Sequence, residues 1–194
     1  MIKKMITRIH GRSGFTLSET LMALLILLMV TSIVAAGVPV AANAYNKVIM
    51  ASNAQLLLST TMTNLRDELG TAQDITVREI IHDDASTEIV IEYKNDKGGN
   101  STIYQVSPGM SETREPGVHV LEVSGDNSYS HLLVSRKAAT ENLYLTYTID
   151  DFSAFNGYKS TGYIKFDKLT VKTKDADKVI TEIENFEIKV LTVR

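Results

Sequence analysis

The chain contains no cysteine and only three prolines among its 194 residues. The absence of cysteine excludes a disulfide framework, a cysteine-ligated zinc or iron–sulfur site, a thiol nucleophile and a lipid-modified cysteine. Few prolines, together with 44% hydrophobic and 22% charged residues, exclude a collagen-like or wholly disordered chain. The length suits one globular domain, or one domain with an appendage. Its stability must come from packing.

Basic residues are scarce after the first fourteen positions. Lys3, Lys4, Arg8 and Arg12 lie there without an acid, which leaves 16 basic and 23 acidic residues in the remainder of the chain. A nucleic-acid interface needs lysine and arginine concentrated on one surface. The acidic body therefore argues against nucleic acid as a main partner.

A long uncharged run follows the basic segment. From Leu21 to Val38 the sequence LMALLILLMVTSIVAAGV has eighteen residues without a charge. A helix from Phe15 to Val38 would be about 36 Å long, enough to cross a hydrocarbon core of about 30 Å. The basic residues before it predict a cytoplasmic N-terminus and an external body. The apolar residues expected in the span are Leu21, Leu24, Leu25, Ile26, Leu27, Leu28, Val30, Ile33 and Val34.

Two other interpretations of this run stay open, a secretory signal peptide and a simple membrane anchor. Ala42-Asn43-Ala44 before Tyr45 has the small-residue form of a signal-peptide cleavage site. Against the signal peptide, the run is longer than the usual apolar region of about 7 to 15 residues. In addition, Glu19 stands at its entrance. An ionisable group in a membrane segment indicates a function and a partner of opposite charge.

The residues at the entrance of the run carry a resemblance to a known family. The stretch Gly11-Arg12-Ser13-Gly14-Phe15-Thr16-Leu17-Ser18-Glu19, with its basic leader and its apolar helix, resembles the type III signal sequence of type IV pilins and type II secretion pseudopilins. The segment TNLRDELGTA, within Met62 to Ala72, is similar to minor pseudopilins of the J type. The large, strand-rich remainder favours a minor over a major subunit.

The resemblance implies how the N-terminus is processed and used. A prepilin peptidase would cut between Gly14 and Phe15 and methylate the new amino group of Phe15. Glu19 would then be the fifth residue of the mature chain and would pair with the N-terminal amine of a neighbouring subunit. The implied partners are other pilin subunits through the N-terminal helix, the prepilin peptidase, a membrane assembly platform and the cytoplasmic membrane. The implied location is that membrane before assembly, with the N-terminus inside, and a cell-surface filament afterwards.

The rest of the chain predicts an α+β fold, in which a long N-terminal helix with an apolar first half packs on an antiparallel β-sheet head. Gly37 and Pro39 predict a bend in the helix rather than its end, and Gly70 suits the helix C-terminus. Apolar and amphipathic residues at three- and four-residue steps predict one covered face, formed by Gln55, Leu58, Met62, Leu65 and Leu69. We expect a basic leader over 1–14, the helix over 15–70 with its membrane-spanning part over 15–38, and a β-rich extracytoplasmic head over 71–194.

Short runs of Val, Ile, Thr and Tyr between turn residues predict the sheet after about Ile75. The turn residues Asn95 to Asn100 predict a hairpin between strands at 88–94 and 101–106. A period-two run predicts one buried face made of Leu143, Leu145, Tyr147 and Ile149. Further strands are expected at 118–123, 131–135, 163–172 and 179–193, the last with Phe186, Ile188 and Val190 on one face. A bulge is expected near Asp167.

The sequence offers little that indicates catalysis. It has no G-x-S-x-G elbow, H-E-x-x-H helix or phosphate-binding glycine loop, so we expect a structural protein with no catalytic residue, metal or cofactor. Candidate ligand groups occur in His82-Asp83-Asp84, Asp126-Asn127-Ser128 and Asp175-Ala176-Asp177, where solvated loops and turns also explain the residues. His119 and His131 are expected to be structural. The alternative function is a membrane-anchored or secreted extracytoplasmic binding module that does not polymerise.

Overall fold

A computed structural model describes residues 16–81, 87–110, 113–125, 127–134, 142–149 and 162–191. Within these ranges one helix, α1 (Leu17–Gly70), precedes eight strands. The strands are β1 (Gln73–Ile81), β2 (Thr87–Lys94), β3 (Asn100–Val106), β4 (Gly117–Ser124), β5 (Asn127–Leu132), β6 (Leu143–Thr148), β7 (Tyr163–Thr173) and β8 (Val179–Lys189). The chain divides into two compact units, Met1–Val48 and Ile49–Arg194.

In the first unit the described residues form the N-terminal part of α1. Every residue from Thr16 to Val48 is exposed. The helix continues through Gly37 and Pro39 without ending, as predicted.

In the second unit the C-terminal part of α1 buries one face. The fully covered positions follow three- and four-residue steps, as expected for a helix packed on one side, and comprise Ala54, Leu57, Leu58, Thr61, Leu65 and Leu69. Leu58, Leu65 and Leu69 were predicted there, and Met62 is partly buried. Gln55 is exposed, so its predicted place on this face is wrong. The stripe includes Ala54, Leu57 and Thr61 instead.

A five-stranded antiparallel sheet has the order β1-β2-β3-β4-β5. The predicted hairpin joins β2 and β3, with Lys94 opposite Asn100. Asn95 shapes its turn, because its Oδ1 accepts the N–H of Gly99 at 2.8 Å and that of Lys97 at 3.2 Å. Gly98 has φ +80°, a conformation that favours glycine.

A three-stranded antiparallel sheet has the order β6-β7-β8. Leu143, Leu145, Tyr147 and Ile149 are all buried, as predicted. Tyr144, predicted for the other face, is also buried. Phe186, Ile188 and Val190 share the predicted buried face.

The β7–β8 ladder corrects one prediction. Pairing runs from Tyr163 opposite Lys189 to Phe166 opposite Phe186 and resumes at Lys168 opposite Glu184 with the same register. In both strands, the residues that face the core have even numbers on one side of this point and odd numbers on the other. Asn185 adopts φ 55°. A bulge near Asp167 in one strand is therefore wrong, because the partner strand is distorted equally. The register shifts later, between Val171 and Lys172.

The helix and the two sheets enclose one core and make the fold α+β, as predicted. Tyr147 joins the sheets: its hydroxyl donates to the carbonyl oxygen of Ile89 at 2.7 Å and lies 3.3 Å from that of Ile103. The amide of Tyr147 also donates to Oε1 of Gln105 at 3.1 Å. Buried polar groups need such partners.

Two predicted strands have different ends. The strand expected at 131–135 is β5, which ends at Leu132. Leu133 and Val134 are buried outside the ladder, and the Asn64 amide donates to the Leu133 carbonyl at 2.6 Å. The strand expected to reach 193 ends at Lys189, because Leu191 N–H donates to the Gly70 carbonyl at 2.8 Å, beside the end of α1.

Candidate functional site

The start of α1 is organised by Thr16 and Glu19. Oε2 of Glu19 accepts the Thr16 backbone N–H at 2.8 Å and the Thr16 hydroxyl at 2.9 Å. In return, the Glu19 N–H donates to Oγ1 of Thr16 at 3.3 Å. This reciprocal pattern is a capping box, which satisfies free N–H groups at a helix N-terminus. The spacing Thr-x-x-Glu is its sequence signal, so the direct Thr16–Glu19 pairing was available from the sequence.

The predicted cleavage position, Gly14 and Phe15, lies outside the described residues. The capping box uses only groups that follow the predicted cut. Removal of the leader would therefore leave these hydrogen-bonding groups in place.

The described apolar run forms one helix that is long and apolar enough to cross a membrane. The nine residues predicted for the span have exposed fractions between 50% and 71%. Glu19 is the sole charged residue from Thr16 to Asn46. The hydroxyl of Thr31 donates to the carbonyl oxygens of Leu27 and Leu28, each at 3.0 Å, so this polar group needs no water.

Comparison with known proteins does not assign the chain to a family. No family model, no curated protein and no solved structure matches it. A functional interpretation therefore depends on the residues and their geometry.

In the head, His119 of β4 is buried and contacts an aromatic ring and a backbone carbonyl. Its ring is stacked on Tyr104 with centroids 5.3 Å apart, and the Arg114 guanidinium lies 5.5 Å from the Tyr104 ring centroid. Nε2 of His119 bonds to the Glu115 carbonyl oxygen at 2.7 Å, whereas Nδ1 is buried without a hydrogen bond. Burial lowers the pKa of His119 below its usual value, and the nearby positive charge of Arg114 adds to this. The neutral ring is thus favoured, which agrees with a packing role.

The predicted oxygen-ligand groups are only partly described. Asp177 accepts the hydroxyl of Tyr144 and an N–H of Lys172 at 3.0 Å. These two donors lower the pKa of Asp177, while burial and the Asp177 carboxylate raise the pKa of Tyr144. Among the described residues, no three histidine, aspartate or glutamate side chains converge on a possible metal position. The residues 82–84 and Asp126 lie outside the described ranges.

Proposed function

We propose that this chain is a structural subunit, and by its large head a minor one, of a type IV pilus-like or pseudopilus-like filament. The observation that carries the proposal is the uncovered helix from Leu17 to Val48, whose first turn holds Glu19, the sole charged residue between Thr16 and Asn46. Side chains of this kind need either lipid or other helices around them. A subunit that first sits in a bilayer and later packs into a helical bundle supplies both environments.

The geometry of Glu19 supports a role in the contact between subunits. Both of its hydrogen bonds from Thr16 end on Oε2, so Oε1 has lone pairs for a donor from another molecule. In a bundle of apolar helices, an uncompensated carboxylate is strongly disfavoured, and a positive partner with hydrogen bonds offsets that cost. We propose the methylated amine of Phe15 in a neighbouring subunit as this partner. Such a pair would favour one axial offset between adjacent helices.

The first test is mass spectrometry of the N-terminus of the protein isolated from its native host. The proposal expects a chain that begins at Phe15 and carries one added methyl group. A chain that begins at Tyr45 would indicate ordinary secretion, and one that retains Met1 would indicate a plain anchor. Either of these results would favour the alternative of a binding module that does not polymerise.

The second test separates the charge of Glu19 from its capping role. Glu19→Gln removes the charge but keeps an acceptor for the Thr16 N–H, whereas Thr16→Val removes the hydroxyl and keeps the charge. We expect both variants to insert into the membrane, Glu19→Gln to lose filament assembly, and Thr16→Val to assemble. Thr20→Val is the matched control, since the Thr20 hydroxyl bonds only within the helix, to the Leu17 carbonyl at 2.9 Å.

Membrane fractionation and recovery of sheared filaments measure these two properties separately. Normal filament yield from Glu19→Gln would refute the charge pairing. Loss of assembly in Thr16→Val with retention in Glu19→Gln would assign the residue to helix capping instead.

A further inference from the structure

The unit Ile49–Arg194 contains a cavity between the C-terminal part of α1 and the two sheets, and most of its lining side chains are apolar. Its volume is about 350 Å³, within the range of about 300–1,000 Å³ typical of ligand pockets. Leu57 and Thr61 of α1 form one wall, and Val118, Leu132, Leu143 and Leu145 of β4, β5 and β6 contribute to the others. All of these residues belong to the unit Ile49–Arg194. Such a lining accepts a hydrocarbon group by removing its surface from water.

One lysine, Lys174, is among the residues that line this cavity. Lys174 lines the cavity and also a second, more polar cleft of about 380 Å³ that is lined by Lys172, Asp175 and Asp177. Tyr144 likewise borders both spaces. Tyr144 and Lys174 therefore lie between the cavity and the cleft.

The two lysines that line the cleft differ in their ion pairs. Lys172 is paired with Asp177 at 3.0 Å, and Asp177 also accepts the Tyr144 hydroxyl. The ammonium group of Lys174 has no ion pair among the described residues, although the residue is half-buried. Its backbone is fixed, because the Lys174 N–H donates to the Asn142 carbonyl at 3.0 Å next to β6. A cation without an ion pair, in a cavity lined mostly by apolar side chains, suits an anion that carries a hydrocarbon tail.

We propose that this cavity binds a single-chain alkyl carboxylate, with the alkyl chain among Leu57, Val118 and Leu145 and the carboxylate at Lys174. Glu115 also lines the cavity, and its negative charge opposes such a ligand. The two ionisable residues thus have opposite effects on affinity. This binding is independent of the proposed filament function, since every residue that forms the site lies in the unit Ile49–Arg194, outside the uncharged run over 21–38.

The test uses the full chain in phosphatidylcholine nanodiscs and a decanoic acid that carries a diazirine in its alkyl chain. After irradiation and proteolysis, mass spectrometry should find the label in peptides that contain Leu57, Leu132 to Val134 and Leu143 to Leu145. Label on the apolar helix over residues 17–38 reports probe dissolved in the bilayer and provides an internal reference. The ratio of cavity label to helix label is the measured quantity.

Three variants give the expected pattern. Lys174→Met should lower the ratio about tenfold, the loss expected for one charge-assisted hydrogen bond, and Lys174→Arg should preserve it. Glu115→Gln should leave the ratio unchanged or raise it. Lys178→Met is the matched control, because Lys178 is exposed in the same turn and does not line the cavity.

A fourth variant tests the cavity itself without its charge. Leu132→Trp places a larger side chain at a partly exposed position of the lining, so it should lower the ratio while the circular dichroism of the head stays that of the wild type. Unchanged labelling in this correctly folded variant would overturn the site.

Other outcomes would also overturn the proposal. Equal labelling in Lys174→Met and the wild type would show that the lysine only covers apolar surface with its stem. Equal labelling by a diazirine-bearing decanol would remove the role of the carboxylate. Labelling by a two-chain anionic phospholipid probe without labelling by the single-chain acid would replace the ligand class.

Discussion

Tyr147 offers a direct test of how the two sheets of the head are held together. It is 1% exposed, and its hydroxyl reaches from β6 to the carbonyl oxygen of Ile89 in β2. Its ring packs edge-on against Phe166 with centroids 5.7 Å apart. Tyr147→Phe keeps the ring and its packing and removes only the hydroxyl. Any loss of stability therefore measures the hydrogen bond between the sheets.

The expected loss follows from what remains after the substitution. The carbonyl oxygens of Ile89 and Ile103 lose a donor, the first in a part-buried and the second in a buried place, and an unsatisfied buried polar group costs about 1–3 kcal/mol. No cavity term is added, because the side-chain volume is nearly unchanged. For a protein of this size, each kcal/mol lowers Tm by about 2–4 °C. We therefore expect Tm to fall by roughly 2–12 °C.

Thermal unfolding of the full chain in detergent, followed by near-ultraviolet circular dichroism of the tyrosines, measures this loss. Tyr129→Phe is the matched control, since Tyr129 is 64% exposed on β5 and its substitution should leave Tm unchanged. If the two variants have the same Tm, the hydroxyl of Tyr147 does not couple the sheets.

Two further predictions concern the interior of the head. Because burial lowers the pKa of His119, the unfolded chain binds the proton more strongly, so stability should fall as pH drops below about 6.5, the ordinary value. Urea unfolding between neutral and mildly acid pH should show this fall in the wild type and in the exposed His131→Gln control. A fall of the same size in His119→Phe would contradict it. Leu65→Ala, at a fully buried position, should lower the free energy of unfolding by about 2–5 kcal/mol in the same assay. Leu56→Ala, at a residue 54% exposed, should change it little, and similar losses for both would refute the assigned helix face.

The sequence predicted the fold class because its strongest patterns are local. The uncharged run, the helix stop at Gly70 and the turn at Asn95 each depend on residues close together in the chain. The strand at β5 was misplaced because its residues, Asn127 to Leu132, are mostly exposed and polar and lack an apolar alternation. Leu133 and Val134 do have apolar side chains, but they pack against the core from a bend rather than from a strand. Local patterns do not distinguish these two cases.

The candidate sites also differ in whether their residues are close together in the chain. Thr16 and Glu19 are three residues apart, so their spacing alone carries the signal of the capping box. Lys174 and Leu57 line one cavity although they are distant in the chain. The irregular pair of strands at Asp167 and Asn185 requires knowledge of both partners. The cavity has no sequence pattern that could have predicted it, whereas the shift of the apolar phase between Phe166 and Leu169 signals an irregularity near Asp167 but not its form.

The hydrogen bond from Leu191 to Gly70 has a consequence for biosynthesis. It joins the end of the first helix to a segment that the ribosome produces more than a hundred residues later. Because the head cannot complete this contact until then, it finishes folding near the end of synthesis. The apolar part of the helix, which is long and apolar enough to cross a membrane, is synthesised long before this contact can form. If it enters a bilayer as proposed, its insertion precedes the folding of the head.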